Sequence, residues 1–471
     1  MSTFMGITEC SVKSGMETSI KLAEIDMAAA KRKRDILGSK TEVTVTGTKY
    51  YVSVDGDDAN SGKTPETPWK TIKRMSAEKL SAGDGVFFKR GDTFREEFVP
   101  TDGVTYSAYG DGDKPKLLGS KENSAGAENW QATKVPNVWV FIKEIPDDVG
   151  NIVFNDGKGF ATKYFVMDRN ERTLDKLTEN LMFLHGTDNR VYLRCDHGNP
   201  GEVFHSIEMA RYRNIVYLSD VKNAVFDNLC FMYTGSHALG GPAHNTLIQN
   251  CVFEWIGGSQ FCSGGRYGNA VEFWATTDNV AVKNCYINEV YDAGLTFQFK
   301  GDHAEDIIID GVDFSGNLIE RCAYCIEYFS RQYNSNGDFL RNITMKDNIL
   351  RRTGEGFCVG APDAHGRDAC IKGWDTKNQS ENFVIENNVF DRAVSQLLHI
   401  GSYAWDVAEQ KLGAPTPEYM PTMKNNTYVC NDGGIIARWN GEAVTANKDS
   451  AKMLAAVGCE KDAKIYIVSK N

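Results

Sequence analysis

The 471-residue chain predicts an all-β fold, a solenoid of short stacked strands, on three observations. A six-residue pattern recurs from residue 223 onward. Gly, Asp and Pro punctuate short alternating apolar runs from residue 48. No apolar run reaches the 18 residues of a membrane-spanning helix.

The elements follow in order. Residues 1–47 are a leader and an N-terminal capping helix: ETSIKLAEIDMAAAKRKRDIL (17–37) is amphipathic, with Thr18 or Ser19 as cap and Ile20, Leu22, Ile25 and Met27 mostly on one side. Lys31 to Arg34 is its solvated end, and such a helix can close the exposed end of a sheet. Residues 48–121 begin the stack. Residues 122–210 (NVWVFIKEI, GNIVFNDGKG, NRVYLRCDHGNPGEV) are β-like with a different spacing, which predicts an inserted β subdomain.

Residues 211–440 hold the repeats: NAVFDN, NTLIQN, NVAVKN, GVDFSG, NITMKD, NFVIEN and the degenerate MPTMKN. Their final positions, 228, 250, 284, 316, 347, 387 and 425, differ by 22, 34, 32, 31, 40 and 38 residues, so strands recur while loops vary. Stacked Asn side chains at Asn228, Asn250, Asn284 and Asn387 are expected to bond one another where the strand bends. A β-propeller would need hairpin turns, and two-residue hairpin signals are mostly missing. Residues 441–471 form a C-terminal cap.

With 52 basic and 63 acidic residues, the net charge of −11 argues against nucleic acid as the main partner. No membrane association is expected, and the oligomeric state is open. The start of the chain lacks the basic-then-apolar layout of an export signal, which predicts a cytoplasmic protein, or a secreted one if a signal once preceded Met1. The 12 cysteines stand mostly singly in apolar runs, as reduced core thiols do. Cys322 and Cys325 form the lone CxxC and are expected in the core.

YYVSVDGDDANSGKTPETPWKTI, FFKRGDTF and YSAYGDGDKP resemble the N-terminal region of right-handed parallel β-helix carbohydrate-active enzymes, the pectate-lyase-like superfamily. GNIVFNDG, HGNPGEVFHSIE, RYGNAVEFW and YDAGLTFQ resemble members that include glycoside hydrolases. The similarity spans roughly Lys49 to Trp439 and implies a right-handed parallel β-helix acting on carbohydrate. Polygalacturonase motifs and the calcium-site aspartates of pectate lyases are missing, so no catalytic residues carry over from those groups.

Candidates come instead from the register. Aligning NAVEFW, AGLTFQ, CIEYF, GFCVG and LLHIG puts Val271, Leu295, Ile326, Phe357 and Leu398 in one buried column. Glu272, Thr296, Glu327, Cys358 and His399 then face out. Glu272 and Glu327 fall two strands apart, about 9.6 Å between backbones, and with side chains that lean together by a few ångströms this favours the roughly 6.5 to 9.5 Å carboxyl separation of inversion. Asp292 could reach Glu272 across a bend. The catalytic candidates are therefore Glu272, Asp292 and Glu327. Trp274 and Gln298 share the outward parity with Phe329 and suit a sugar ring. His399, with Arg266, Arg331, His365 and Arg367 from long loops, completes the substrate-binding set. His237 and His244 read as turn histidines.

No metal site or cofactor is expected, with calcium the one alternative left open. DGDDAN (55–60) has donors a calcium loop would use but lacks the closing Glu and reads as a turn. GxxxxGK[ST] and GxSxG do not occur. A glycoside hydrolase is the leading expectation. A polysaccharide lyase is second, because the outward column as aligned offers no Lys or Arg base. A non-catalytic carbohydrate-binding solenoid is third.

Overall fold

The computed structural model describes residues 11–166, 168–260, 266–300, 306–331, 337–360, 368–406, 408–409 and 411–469. Within it the chain forms two long sheets in which parallel pairing predominates. All seven hexads are strands of one sheet. Val225–Asp227, Leu247–Gln249, Thr277–Lys283, Ile308–Ser315, Phe339–Lys346, Ser380–Glu386 and Thr422–Lys424 each pair in parallel with the next. After each hexad the chain turns into the second sheet, whose strands pair in the same order, as in Cys230–Thr234, Val252–Ile256, Tyr286–Lys300 and Leu318–Arg331.

Backbone geometry explains the Asn, Gly and Asp at the hexad ends. Asn223, Asn245, Asn279, Gly311, Asn342 and Asn382 open them, and Asn228, Asn250, Asn284, Gly316, Asp347, Asn387 and Asn425 close them, all with φ between 48° and 73°. Only these residue types enter the left-handed region at low cost.

The expected Asn ladder exists one position further on, which corrects the assignment to the closing residues. The closing residue makes the bend, and the residue after it is buried. Asn317 donates from its backbone and side-chain nitrogens to Asn348 Oδ1, at 2.9 and 3.1 Å. Asn348 does the same to Asn388 (3.1 and 3.0 Å), and Asn388 to Asn426 (2.9 and 3.2 Å). Asn426 ends the row on the two oxygens of Glu460. Burial pushes the Glu460 carboxyl above its usual range, against the pull of the donors from Tyr428 and Asn426.

Apolar side chains fill the coil, with stacked rings such as Phe231 on Phe253 (5.1 Å) and Phe297 on Tyr328 (5.5 Å). The ten described cysteines are buried and unbridged, Cys322 and Cys325 among them. Burial pushes both of those thiols well above their ordinary value.

Helix α1 (Met16–Leu37) starts after Gly15, ahead of the expected caps. It does not close an end of the stack but lies along its flank, with Ile20 and Met27 exposed and Ile25, Ala29 and Ile36 buried. Ala29 and Ile36 pack with Tyr286, Leu318 and Ile349, whose outward apolar faces need cover. Lys21 sits over the Tyr466 ring, Asp26 takes Arg351 and Arg392, Lys33 donates to Tyr286, and Ser39 reaches Asn228. Ser11–Ser14 pairs in parallel with Lys464–Val468, tying the two terminal segments together.

Residues 122–210 form a mostly antiparallel unit with its own core of Trp130, Phe141, Ile152, Phe154 and Leu193. Its strands Val149–Phe154 and Ile207–Arg211 join it to the coil through Arg211 and Thr234. In DGDDAN the oxygens of Asp58 accept from Lys70 and Thr71, and Asp57 from Ala59, as in a turn. Among the described residues no helix is long and apolar enough to cross a membrane.

Candidate active site

Seven strands of the second sheet position the candidate site: β1 (Leu239–Gly240), β2 (Val271–Trp274), β3 (Tyr286–Lys300), β4 (Leu318–Arg331), β5 (Ala369–Thr376), β6 (Gln396–Asp406) and β7 (Ile435–Trp439). Their register places Leu239, Val271, Leu295, Ile326, Ile371, Leu398 and Ala437 in one buried row. The adjacent outward row reads Gly240, Glu272, Thr296, Glu327, Lys372, His399 and Arg438.

Two positions differ from the sequence alignment. GFCVG forms the 3₁₀ turn Gly356–Gly360, so Phe357 and Cys358 leave both rows. Ile371 and Lys372 of β5 take their places. In β5, Gly373 lies opposite Tyr328, where an added Cβ would come within 2.4 Å of the Tyr328 ring. The row therefore contains Lys372 and Arg438, which removes the reason given above for setting a lyase second.

Glu272 and Glu327 stand on either side of Thr296, two strands apart, which is about 9.6 Å between backbones. Oε2 of Glu272 accepts from Asn269 Nδ2 (2.7 Å) and Gln298 Nε2 (3.0 Å), and lies 3.4 Å from His237 Nε2. His237 Nδ1 accepts the Asn269 backbone N–H at 3.0 Å, so the ring proton sits on Nε2, toward Glu272. Burial lowers the His237 pKa, against the opposing pull of the Glu272 charge.

Glu327 is 5% exposed, and its Oε1 accepts from Trp374 Nε1 at 2.5 Å. Lys372 Nζ lies 4.3 Å from the Trp374 ring centre and 2.8 Å from His399 Nδ1. His399 Nε2 is 3.0 Å from Asp375 Oδ2. Burial works against ionisation of Asp375, but the His399 bond and the charges of Lys372 and Arg438 outweigh it and hold the carboxyl below its usual range. Asp375 accepts from His399 Nε2, whose other ring nitrogen lies against the Lys372 ammonium.

Two polar atoms beside Glu272 are buried without a hydrogen-bond partner: Thr296 Oγ1 and Gln298 Oε1. Such atoms are uncommon in folded proteins and mark places where water or a ligand group completes the bonding.

Of the other sequence candidates, Asp292 lies where β3 loses regular register, between Val290 and Ala293. Its N–H donates to Gly268 O, and the next N–H, of Ala293, donates to Asn269 Oδ1, linking it to Glu272 through Asn269. Trp274 is half-buried, in register with Gln298 and Phe329. The backbone of Arg266 is in a short antiparallel pair with Gln260, and that of Arg331 lies opposite Lys300, with both side chains outside the described residues. His365 and Arg367 also lie outside them. Sequence reasoning missed His237, Asn269, Lys372, Trp374 and Asp375. The alternation in CIKGWD was a usable signal for Lys372 and Trp374, but nothing local marks His237. His244, expected in a turn, instead ends the short strand Ala243–His244 in register with Asp278, and its ring pairs with Asp278 and Asp220.

No family model matches this chain. Over 113 residues it is 34% identical to a lacto-N-biosidase of Bifidobacterium longum subsp. longum, a match covering 21% of this chain and 7% of that protein. The resemblance to β-helix carbohydrate enzymes recurs among solved structures, where glycoside hydrolases and polysaccharide lyases both occur. The complex of XylC with xylose aligns over 89% of this chain and 83% of that one, at 12% identity and a TM-score of 0.48. A GH136 lacto-N-biosidase from Eubacterium ramulus aligns over 96% of this chain and 71% of that one, at 13% identity and a TM-score of 0.34.

Proposed function

We propose that the chain is a right-handed parallel β-helix enzyme that hydrolyses a glycosidic bond in an oligo- or polysaccharide, with Glu272 and Glu327 as its pair of carboxylates. The observation that carries this is their placement on neighbouring positions to Thr296, whose buried hydroxyl lacks a partner. A water held by Thr296 would lie between the two carboxylates. One, as the carboxylate, takes a proton from that water as it attacks the anomeric carbon, and the other, protonated as the carboxylic acid, gives its proton to the departing oxygen. Their placement two strands apart leaves room for that water between the side chains, as inversion requires. Asn269 and Gln298 orient Glu272, Trp374 orients Glu327, and Trp274 offers a face to a sugar ring. The short match to a lacto-N-biosidase adds support for a glycan substrate.

The test is a glycan-library screen followed by Glu272→Gln, Glu327→Gln and Asp292→Asn on the substrate found. Loss of turnover by about 10²- to 10⁴-fold is expected for the first two. Turnover near wild type in all three variants would overturn the assignment.

Polysaccharide elimination is the second candidate activity, favoured by one observation: Lys372 and Arg438 share the row with Glu327 and could face a uronate carboxylate. Elimination leaves a conjugated double bond, so ultraviolet absorbance on uronate polymers separates the two chemistries.

A further inference from the structure

A cavity of about 410 Å³ lies where the inserted subdomain meets the coil, apart from the Glu272 row. Three segments distant in sequence supply its walls: Asn151, Phe160, Thr162 and Lys163 from the subdomain, Tyr291 from β3, and Phe357 from the 3₁₀ turn. The rings form one aromatic surface. Phe357 packs at 5.5 Å from Tyr291 and 6.3 Å from Phe160, and Trp255 backs both Phe160 and Phe357 at 5.8 Å. Tyr291 and Phe357 are buried, whereas Phe160 is partly exposed.

We propose that this cavity is a binding subsite for one neutral sugar ring. An aromatic face with a few fixed polar groups is how proteins hold such a ring, whose C–H face stacks while its hydroxyls bond at the edge. Asn151 supplies an acceptor. It is 1% exposed, its Nδ2 donates to Gly257 O at 2.8 Å, and its Oδ1 has no partner. A sugar hydroxyl would fill that acceptor. The charge of Lys163 is met by Asp148 Oδ2 at 2.6 Å, so the cavity does not call for an acidic sugar.

The cavity is also coupled to the candidate catalytic row. Tyr291 is two residues before Ala293, which holds Asn269, which in turn holds Glu272. The subsite extends the hydrolase assignment, by giving the substrate a second ring to anchor away from the bond that breaks, and in that respect it rests on that assignment.

Saturation-transfer NMR with D-xylose, D-galactose and N-acetyl-D-glucosamine tests the subsite without needing turnover. The full chain, Glu272→Gln, Phe160→Ala and Thr162→Trp are compared. Thr162 is exposed and lines the cavity, so Trp there fills the space without removing any packing. At least one sugar is expected to give signals with the wild type and Glu272→Gln. Those signals should fall at least fivefold in Thr162→Trp and in Phe160→Ala. No signal from any of the three sugars with the wild type overturns the proposal, and so does a signal that survives in Thr162→Trp. Binding that depends on the cavity, in a protein that cleaves no glycan, would end the hydrolase assignment and leave the subsite standing.

Discussion

His237 Nε2 lies 3.4 Å from Glu272 Oε2, and both side chains are largely withdrawn from water. Burial disfavours the imidazolium more than the neighbouring carboxylate favours it, so the folded pKa lies below the ordinary value of 6.5. Below about pH 6.5 the unfolded chain takes up a proton that the folded chain resists, so stability falls as pH drops from there to the folded pKa. His237→Gln keeps an N–H for Glu272 and is expected to flatten that part of the profile. Urea midpoints of the two proteins from about pH 4 to about pH 8 check it. Parallel profiles would contradict it.

Thr296→Val separates a functional hydroxyl from a structural one. The buried Oγ1 has no partner, so the near-isosteric Val is expected to leave stability unchanged or raise it by about 1 kcal/mol. Turnover should fall about tenfold as the water loses its anchor. Thermal unfolding and steady-state kinetics measure both; a less stable protein with unchanged turnover is the opposite result.

Asn388 holds the middle of the buried ladder. Its Oδ1 takes two donors from Asn348, and its Nδ2 reaches Met345 O and Asn426 Oδ1. Asn388→Ala strands several of these groups and is expected to cost about 3 kcal/mol, read as a lower denaturant midpoint at similar slope.

Asn284 closes its hexad at φ 50°. Asn284→Gly is expected to be close to neutral, whereas Asn284→Val should cost about 1–2 kcal/mol because a β-branched side chain crowds the left-handed conformation. Equal effects of the two substitutions in equilibrium unfolding would mean that the side chain, not the backbone, sets the requirement.

The hexads were legible because the backbone makes a local demand. A bend through the left-handed region accepts Asn, Gly or Asp, and the strand between alternates with period two, so both signals are written in six consecutive residues. The alignment of Glu272 with Glu327 was legible for the same reason, since the buried row of Val271, Leu295 and Ile326 sets the parity. GFCVG misled because its apolar spacing suits a strand, although the chain forms a 3₁₀ turn there and Ala369–Thr376 supplies the paired strand.

Local sequence therefore determined that the chain would stack parallel strands, where each bend would fall, and that two glutamates would share an outward row. Tertiary structure alone decided that Lys372 joins that row, that His237 abuts Glu272, that helix α1 lies along the flank, and that an aromatic cavity opens beside the inserted subdomain. The physical reason is range: bends and strand parity depend on neighbours a few residues away, whereas these contacts join segments tens to hundreds of residues apart whose meeting depends on loop length and packing.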